Sequence, residues 1–425
     1  MTFADPTNTA AAPSAAASAA NPVRVRDIRL DFFRGIAMFI ILFAHTPGNF
    51  LTRWIPARWG FSDATEMFVF CSGMASAIAF GATFDRAGFA LGTARVGYRI
   101  WQVYWAHVGL FFATAALLVY VTDLGITDRN YWGQMNLWMI FVEHNEGLWE
   151  IPNMLFSFMT LQWVPNLFDI LPMYMVILAM MPLVIALSRV HLGLVAALCI
   201  ILWVFAQRRF MEAAGLPYLN FTAEPWVGND DWQRRWFLNP FGWQLVFFTG
   251  FAFMRGWLPK PPVNAVLIGI ATFIVLANIP FSSVGVRENG GLGFDWAREW
   301  RSENRQWISK SDFGILRYVQ FLALAYLAWV IAGDKGNRLR VTATNAVARV
   351  WEKVLGLILK VGQQSLAVFI VSIFIARFNG FAMDVLGRET GTVLAVNAFG
   401  CGVLILTAYL ASWFKSTPWK PKVPR

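Results

Sequence analysis

The sequence predicts an all-α, polytopic membrane protein, and three observations carry that prediction. Hydrophobic residues fill 57% of the 425 positions, above the roughly 45–50% of soluble domains. Charged residues fill only 14%, where such domains carry about 25%. The apolar residues also gather into ten runs, most of them near the length of about 20 residues that a helical span needs. A soluble enzyme, a disordered chain and a collagenous chain are excluded together. The formal charge of +10 would suit nucleic acid. In a membrane protein, excess Lys and Arg first indicates retention on the cytoplasmic side, so no nucleic-acid partner is expected. Cys71, Cys199 and Cys401 sit singly within apolar runs and form no CxxC, so neither disulfides nor a zinc site is indicated.

Residues 1–25, rich in Ala, Pro, Ser and Asn, lack a basic leader with a long apolar core and read as a flexible cytoplasmic tail. A single transmembrane domain follows over 26–415, with a short cytoplasmic tail at 416–425. Its expected spans lie near 30–50, 62–83, 99–121, 168–187, 192–206, 240–257, 263–281, 315–333, 362–381 and 392–413. Each is expected to be helical, because backbone facing lipid has to satisfy its own hydrogen bonds. About ten spans put both termini on one side. The shorter inner segments then hold more of the 35 Lys and Arg than the longer outer ones. That asymmetry predicts cytoplasmic termini.

Three outer loops, near 122–167, 207–239 and 282–314, are too long to be simple connectors. They are rich in Trp: Trp132, Trp138, Trp149, Trp163, Trp226, Trp232, Trp236, Trp296, Trp300 and Trp307. One reading is an aromatic belt at the membrane surface. The other is a carbohydrate platform, with indole faces on sugar C–H faces and Asn145, Glu146, Glu150, Asn229, Asp230 and Asp231 binding hydroxyls.

An ionisable residue within a span is a functional hypothesis by default, because a charge in lipid is costly. The first span opens Arg26-Asp27-Ile28-Arg29-Leu30-Asp31-Phe32-Phe33-Arg34-Gly35 and runs apolar to His45. Asp31 and Arg34 share one face, either as a salt-bridged helix end or as site residues. His45 lies roughly 16 Å beyond Arg34, at about 1.5 Å per residue. It precedes the turn Thr46-Pro47-Gly48-Asn49, and the second span opens with Asp63 and Glu66 on one face. A carboxylate beside His45 would orient the imidazole as a general base. Alternatively, Asp63 caps the second helix and Glu66 favours its positive end.

The third span opens with Arg95 and Arg99, four apart, followed by Tyr104 and His107. The arginines suit a phosphate or ordinary anchoring. His107 is either a packing residue or a site residue, and Asp169 a site carboxylate or a helix cap. His45, His107, His144 and His191 are scattered and form no HExxH, so no metal is expected. No GxSxG, Walker or GxGxxG fingerprint falls in a useful context.

The stretch from Arg26 to Gly81 resembles the OpgC family, succinyltransferases of osmoregulated periplasmic glucans related to the type-3 membrane acyltransferases. The resemblance rests on Arg26 through Gly35, on His45 with Pro47 and Gly48, on Gly60 through Phe70, and on Ser72-Gly73. Asp169-Ile170-Leu171-Pro172-Met173-Tyr174, Asn239-Pro240-Phe241-Gly242-Trp243-Gln244 and Gly362 through Phe369 extend it in order. It implies acyl transfer from cytoplasmic acyl-CoA to a glucan hydroxyl outside the bacterial inner membrane, with His45 catalytic. Asp63 and Glu66 complete the expected catalytic set. Arg34, Arg95, Arg99, Tyr104 and His107 are expected to hold the donor, and Glu150, Trp163, Asp169 and Trp243 the acceptor. Succinyl-CoA or another acyl-CoA is the donor substrate, no tightly bound cofactor is expected, and glucan-synthesis machinery is a candidate partner. Rival readings are O-acyl transfer to another surface glycan and glycan transport. Transporters often show inverted repeats, and the sequence displays none.

Overall fold

The computed structural model describes residues 27–135, 137, 154–223, 234–287, 291–342 and 345–420. Among them helix dominates, and the one β interaction is an isolated bridge between Thr222 and Arg235. The main helices are α1 (Arg29–His45), α2 (Ala64–Ser76), α3 (Ala82–Asp123), α4 (Met154–Met159) and α5 (Ile170–Val190). They continue as α6 (Leu192–Phe205), α7 (Pro240–Arg255), α8 (Ala265–Ala277), α9 (Asp295–Glu303) and α10 (Ile315–Ala332). The last three are α11 (Ala346–Gln363), α12 (Ser365–Leu386) and α13 (Thr390–Lys415).

Helix is present in every expected span. Five helical stretches among the described residues are long and apolar enough to cross a membrane: Ala64–Asp123, α5, α10, α12 and α13. The shorter apolar helices α6 and α8 have 14 and 13 residues. At about 1.5 Å per residue each reaches only some 20 Å, less than the hydrocarbon core of about 30 Å.

The 60-residue stretch Ala64–Asp123 is not one rod. Gly88 sits at φ 83°, a conformation that side chains with a Cβ rarely adopt. On either side of it, Arg95 donates to the Thr83 hydroxyl and Gly92 lies against the Phe84 ring. Residues 83 and 95 would be about 18 Å apart in a straight helix, so their contact requires a reversal. The second and third expected spans are therefore two arms of a hairpin closed at Gly88.

The arms and their neighbours form the core. α1 packs on α2, α11 and α12, α2 packs on α7, and α3 packs on α5 and α12. The α2–α7 crossing is close enough to exclude side chains. A Cβ on Gly73 would lie 1.9 Å from the Phe247 carbonyl oxygen, and one on Gly250 would lie 2.3 Å from that of Phe70. The long connecting segments are structured where described: 282–314 contains the amphipathic α9, and 207–239 contains a short helix, Arg208–Ala213.

The direction in which the bundle crosses the bilayer has a direct test. Asn130 and Asn337 are exposed, and the native cysteines are buried or half-buried. Single cysteines at Asn130, Asn229 and Asn304 are expected to react with an impermeant thiol reagent from outside, and one at Asn337 from the cytoplasm only. The opposite pattern would invert the expected orientation.

Candidate active site

His45 is the last residue of α1 and half-buried. Its Nδ1 lies 2.9 Å from the Ile41 carbonyl oxygen, one turn back on the same helix. A carbonyl can only accept, so Nδ1 carries the proton and Nε2 the lone pair. Nε2 makes no hydrogen bond among the described residues. The base position is thus set by the main chain of α1. Thr46 hydroxyl donates to Leu42 in the same way, at 2.8 Å, and Asn49 pairs with Asn397 of α13 at 2.9 Å. Together these fix the turn that ends α1.

Asp63 and Glu66 do not hydrogen-bond to His45, and this corrects the expected pairing. They form a capping box on α2: Asp63 accepts from Thr65 N–H at 2.7 Å, and Glu66 accepts from Asp63 N–H at 2.8 Å. Their remaining oxygens meet cations. Lys310 bonds Asp63 at 2.5 Å, Arg317 bonds Asp63 at 3.1 Å, and Arg317 Nε bonds Glu66. Glu66 and Arg317 are buried, at 0% and 6% exposure, and such charges persist in an interior only when paired. One turn beyond Arg317, Gln320 accepts from the Ser62 backbone and hydroxyl. His45 lies within electrostatic range of Lys310, Arg377 and Asp63. A cavity of about 180 Å³ opens over this cluster, lined among others by Gly60, Asp63, Ser283, Arg301 and Arg317.

Lys310 is held by its backbone. Trp243 Nε1 donates to the Lys310 carbonyl at 2.9 Å, Gln207 to Asp312 at 2.8 Å and Trp203 to Phe313 at 2.8 Å. Phe313, at φ 58°, turns the chain into α10. Tyr218 donates to the Asp312 carboxylate at 2.7 Å. Burial pushes the Asp312 carboxyl up, against the hydrogen bonds that favour its charged form.

A second polar centre lies at the start of α1. Arg34 donates to the Ser365 hydroxyl, while its Nε is buried without a partner. Within electrostatic range of Arg34 are Asp31, Cys71, Tyr174 and Arg99, and Lys415 interacts with both Arg34 and Arg99. Side chains from α1, α2, α3, α5, α12 and α13 thus converge there. The expected donor set is only partly gathered. Arg34, Arg99 and Lys415 lie within electrostatic range of one another, with Arg99 bonded to Gln102 and Lys415 to Gln364, but Arg95 is tied to Thr83 and rests over the Phe80 ring at 6.0 Å.

The two centres lie on one helix, about one and a half turns short of its full length apart. Comparison with known proteins identifies the chain that carries them: the family model described as OpgC protein matches residues 26–416. The chain belongs to the OpgC family. No curated protein and no solved structure matches it.

In this OpgC chain several expected contacts have structural roles. Trp163 is fully buried, edge-on to Phe111 at 5.8 Å, and presents no face to a sugar. Trp243 is fully buried against Phe313 and serves the Lys310 carbonyl. Asp169 is 4% exposed and accepts from Phe237 N–H at 3.1 Å, which pins the outer segment to α5. Tyr104 donates to the Met159 carbonyl at 2.8 Å. His107 stacks on Phe158 at 5.0 Å, with both ring nitrogens buried and unpartnered. These two contacts hold α4 to α3. Of the Trp platform, Trp236 is buried and Trp296 exposed. Glu150, Asn145, Glu146, Asn229, Asp230, Asp231, Trp138, Trp149, Trp226, Trp232 and His144 lie outside the described residues.

Proposed function

We propose that this OpgC-family protein is an acyltransferase of the bacterial inner membrane. It moves a succinyl or similar acyl group from cytoplasmic acyl-CoA to hydroxyls of periplasmic glucans. The observation that carries this reading is His45: its Nδ1–H is committed to Ile41, and its Nε2 is free of protein hydrogen bonds at the end of a membrane helix. That is what a base for a sugar hydroxyl needs.

In the reaction, Nε2 takes the hydroxyl proton as the sugar oxygen attacks the thioester carbonyl. The carbon–oxygen bond forms, the carbon–sulfur bond breaks, and the thiolate of CoA leaves and is reprotonated. Arg34, Arg99 and Lys415 hold the phosphates of CoA at the cytoplasmic end. The acyl group then has to travel the roughly 16 Å of α1 that separate Arg34 from His45. The bilayer is the protein's solvent, and glucan-synthesis machinery is the proposed source of acceptor. Mass spectrometry of periplasmic glucans from cells with and without the gene tests the reaction class. Glucans heavier by one or more acyl increments only with the gene are expected. Identical spectra would remove the reading.

The donor assignment has its own test. Arg99→Ala is expected to weaken acyl-CoA binding by about tenfold or more, the size of a lost charge-assisted contact. Arg95→Ala should leave donor affinity near wild type, because Arg95 secures the Gly88 hairpin. Equal effects of the two, read by calorimetry on purified protein, would place the phosphates elsewhere.

A further inference from the structure

Arg377 is a charge for which the described residues supply no counter-ion. It sits in the middle of the apolar helix α12 and is 9% exposed. Two other cations near the site are matched: Arg317 has Asp63 and Glu66, and Lys310 has Asp63. Among the described residues Arg377 has no hydrogen bond or ion pair to a carboxylate, and it is largely buried. A guanidinium held in a membrane span without a counter-charge is costly, and such groups mark substrate sites.

Its position follows from the packing of α12 on α1. A Cβ on Gly380 would lie 2.8 Å from Pro47, just past the end of α1. Arg377 is three residues before Gly380 and therefore on the same face, one turn deeper. Asn379 and Leu42 meet at Gly400 of α13, which sets this turn of α12 level with the last turn of α1. His45 is within electrostatic range of Arg377. Two residues on, and on a different face of α12, Asn379 has both amide ends buried and unpartnered where it meets Gly400. The site around the base thus offers a cation that is unmatched among the described residues.

We infer that Arg377 is the specificity-determining residue that receives a carboxylate carried by the acyl group. This rests on the acyltransferase reading above. Of the two substrates in that reaction, a neutral glucan hydroxyl brings no charge, and the phosphates of CoA belong at the far end of α1. The anion that reaches the His45 end therefore travels on the acyl chain itself. A dicarboxylic monothioester such as succinyl-CoA supplies it, and acetyl-CoA does not. Binding it would hold the acyl chain at the His45 end of α1 and match the guanidinium in one step. The alternative is that Arg377 steadies the oxyanion formed during attack, a charge common to every donor.

Transfer to purified glucan by the full-length protein in lipid nanodiscs, with succinyl-CoA and with acetyl-CoA, separates these roles. Arg377→Gln is expected to cut kcat/KM for succinyl-CoA on the order of 10²-fold or more, mainly through KM. Turnover of acetyl-CoA should change by a few-fold at most. Arg377→Lys, which keeps the charge, should restore much of the preference for succinyl-CoA. It also serves as the readout if the glutamine variant does not insert. Equal losses with both donors would assign Arg377 to the oxyanion or to the fold, and no loss with either would remove it from the site. A wild-type protein that prefers acetyl-CoA would overturn the assignment of Arg377 alone. A wild-type protein inactive with both donors, and silent in the mass-spectrometric test, would overturn the acyltransferase reading on which it stands.

Discussion

His45→Ala is expected to abolish detectable glucan acylation while leaving membrane insertion and acyl-CoA binding intact. Among the described residues the ring makes one hydrogen bond, from Nδ1 to the Ile41 carbonyl of its own helix. Removing it breaks no contact between helices through hydrogen bonding and leaves α1 seated on α2, α11 and α12. The chemistry loses more. A sugar hydroxyl is a weak acid, and a positioned general base contributes typically about 10²–10⁴-fold in rate. His45→Gln should be as inactive as alanine, since an amide cannot take the proton. His107→Ala should behave differently: it opens space between α3 and Phe158, so it lowers thermal stability first and turnover only as the fold loosens. A well-inserted His45→Ala protein with near-wild-type turnover would eliminate His45 as the base. Asp63→Asn provides a second check. Asp63 binds Lys310 and Arg317 rather than the imidazole, so its loss should reduce activity less than loss of His45 and should destabilise the outer cluster.

What could be read in the sequence follows from what is local in the chain. His45 stood out because it ends an apolar run beside Pro47 and Gly48, and a helix keeps such neighbours together. Asp63 and Glu66 were recognisable as a pair three apart, and of the two readings the structure has the cap on α2 and not the hydrogen bond to His45. Their partners were hidden because Lys310 and Arg317 lie about 250 residues away in sequence, and spacing carries no information across that distance. A signal did exist in Arg317 and Gln320, one turn apart in an otherwise apolar run. The same limit applies to Lys415, which reaches Arg34 and Arg99 from the far end of the chain. Tryptophan misled for another reason. Composition does not distinguish an indole on a surface from one in a core, so Trp163 and Trp243 read as acceptor contacts although both are fully buried. The hairpin at Gly88 was legible in outline, because the charged stretch through Arg86 and Arg95 separates two apolar runs.

Arg317→Leu is expected to be the most damaging single change to the fold, lowering stability by about 3–5 kcal/mol. Leucine fits an apolar helix such as α10, so the cost does not arise there. It arises in α2, where Glu66 is fully buried and, without its guanidinium, would have to stay charged unpaired or take up a proton, while Asp63 would retain Lys310 alone. Arg317→Lys should fall between the two. One ammonium cannot reproduce the fork that now reaches Glu66 through Nε and Asp63 through Nη2. The double variant Arg317→Leu/Glu66→Gln should recover much of the loss. A neutral amide needs no counter-charge, yet its oxygen can still accept from the Asp63 N–H and keep the capping box closed. Thermal unfolding of the purified variants in one detergent, followed by tryptophan fluorescence, gives the order: wild type, then the double variant, then lysine, then leucine. If Arg317→Leu unfolded with wild type and the double variant gained nothing, Glu66 would not depend on Arg317. The cluster beneath the outer cavity would then have to be held by the capping box and the Lys310 strap alone.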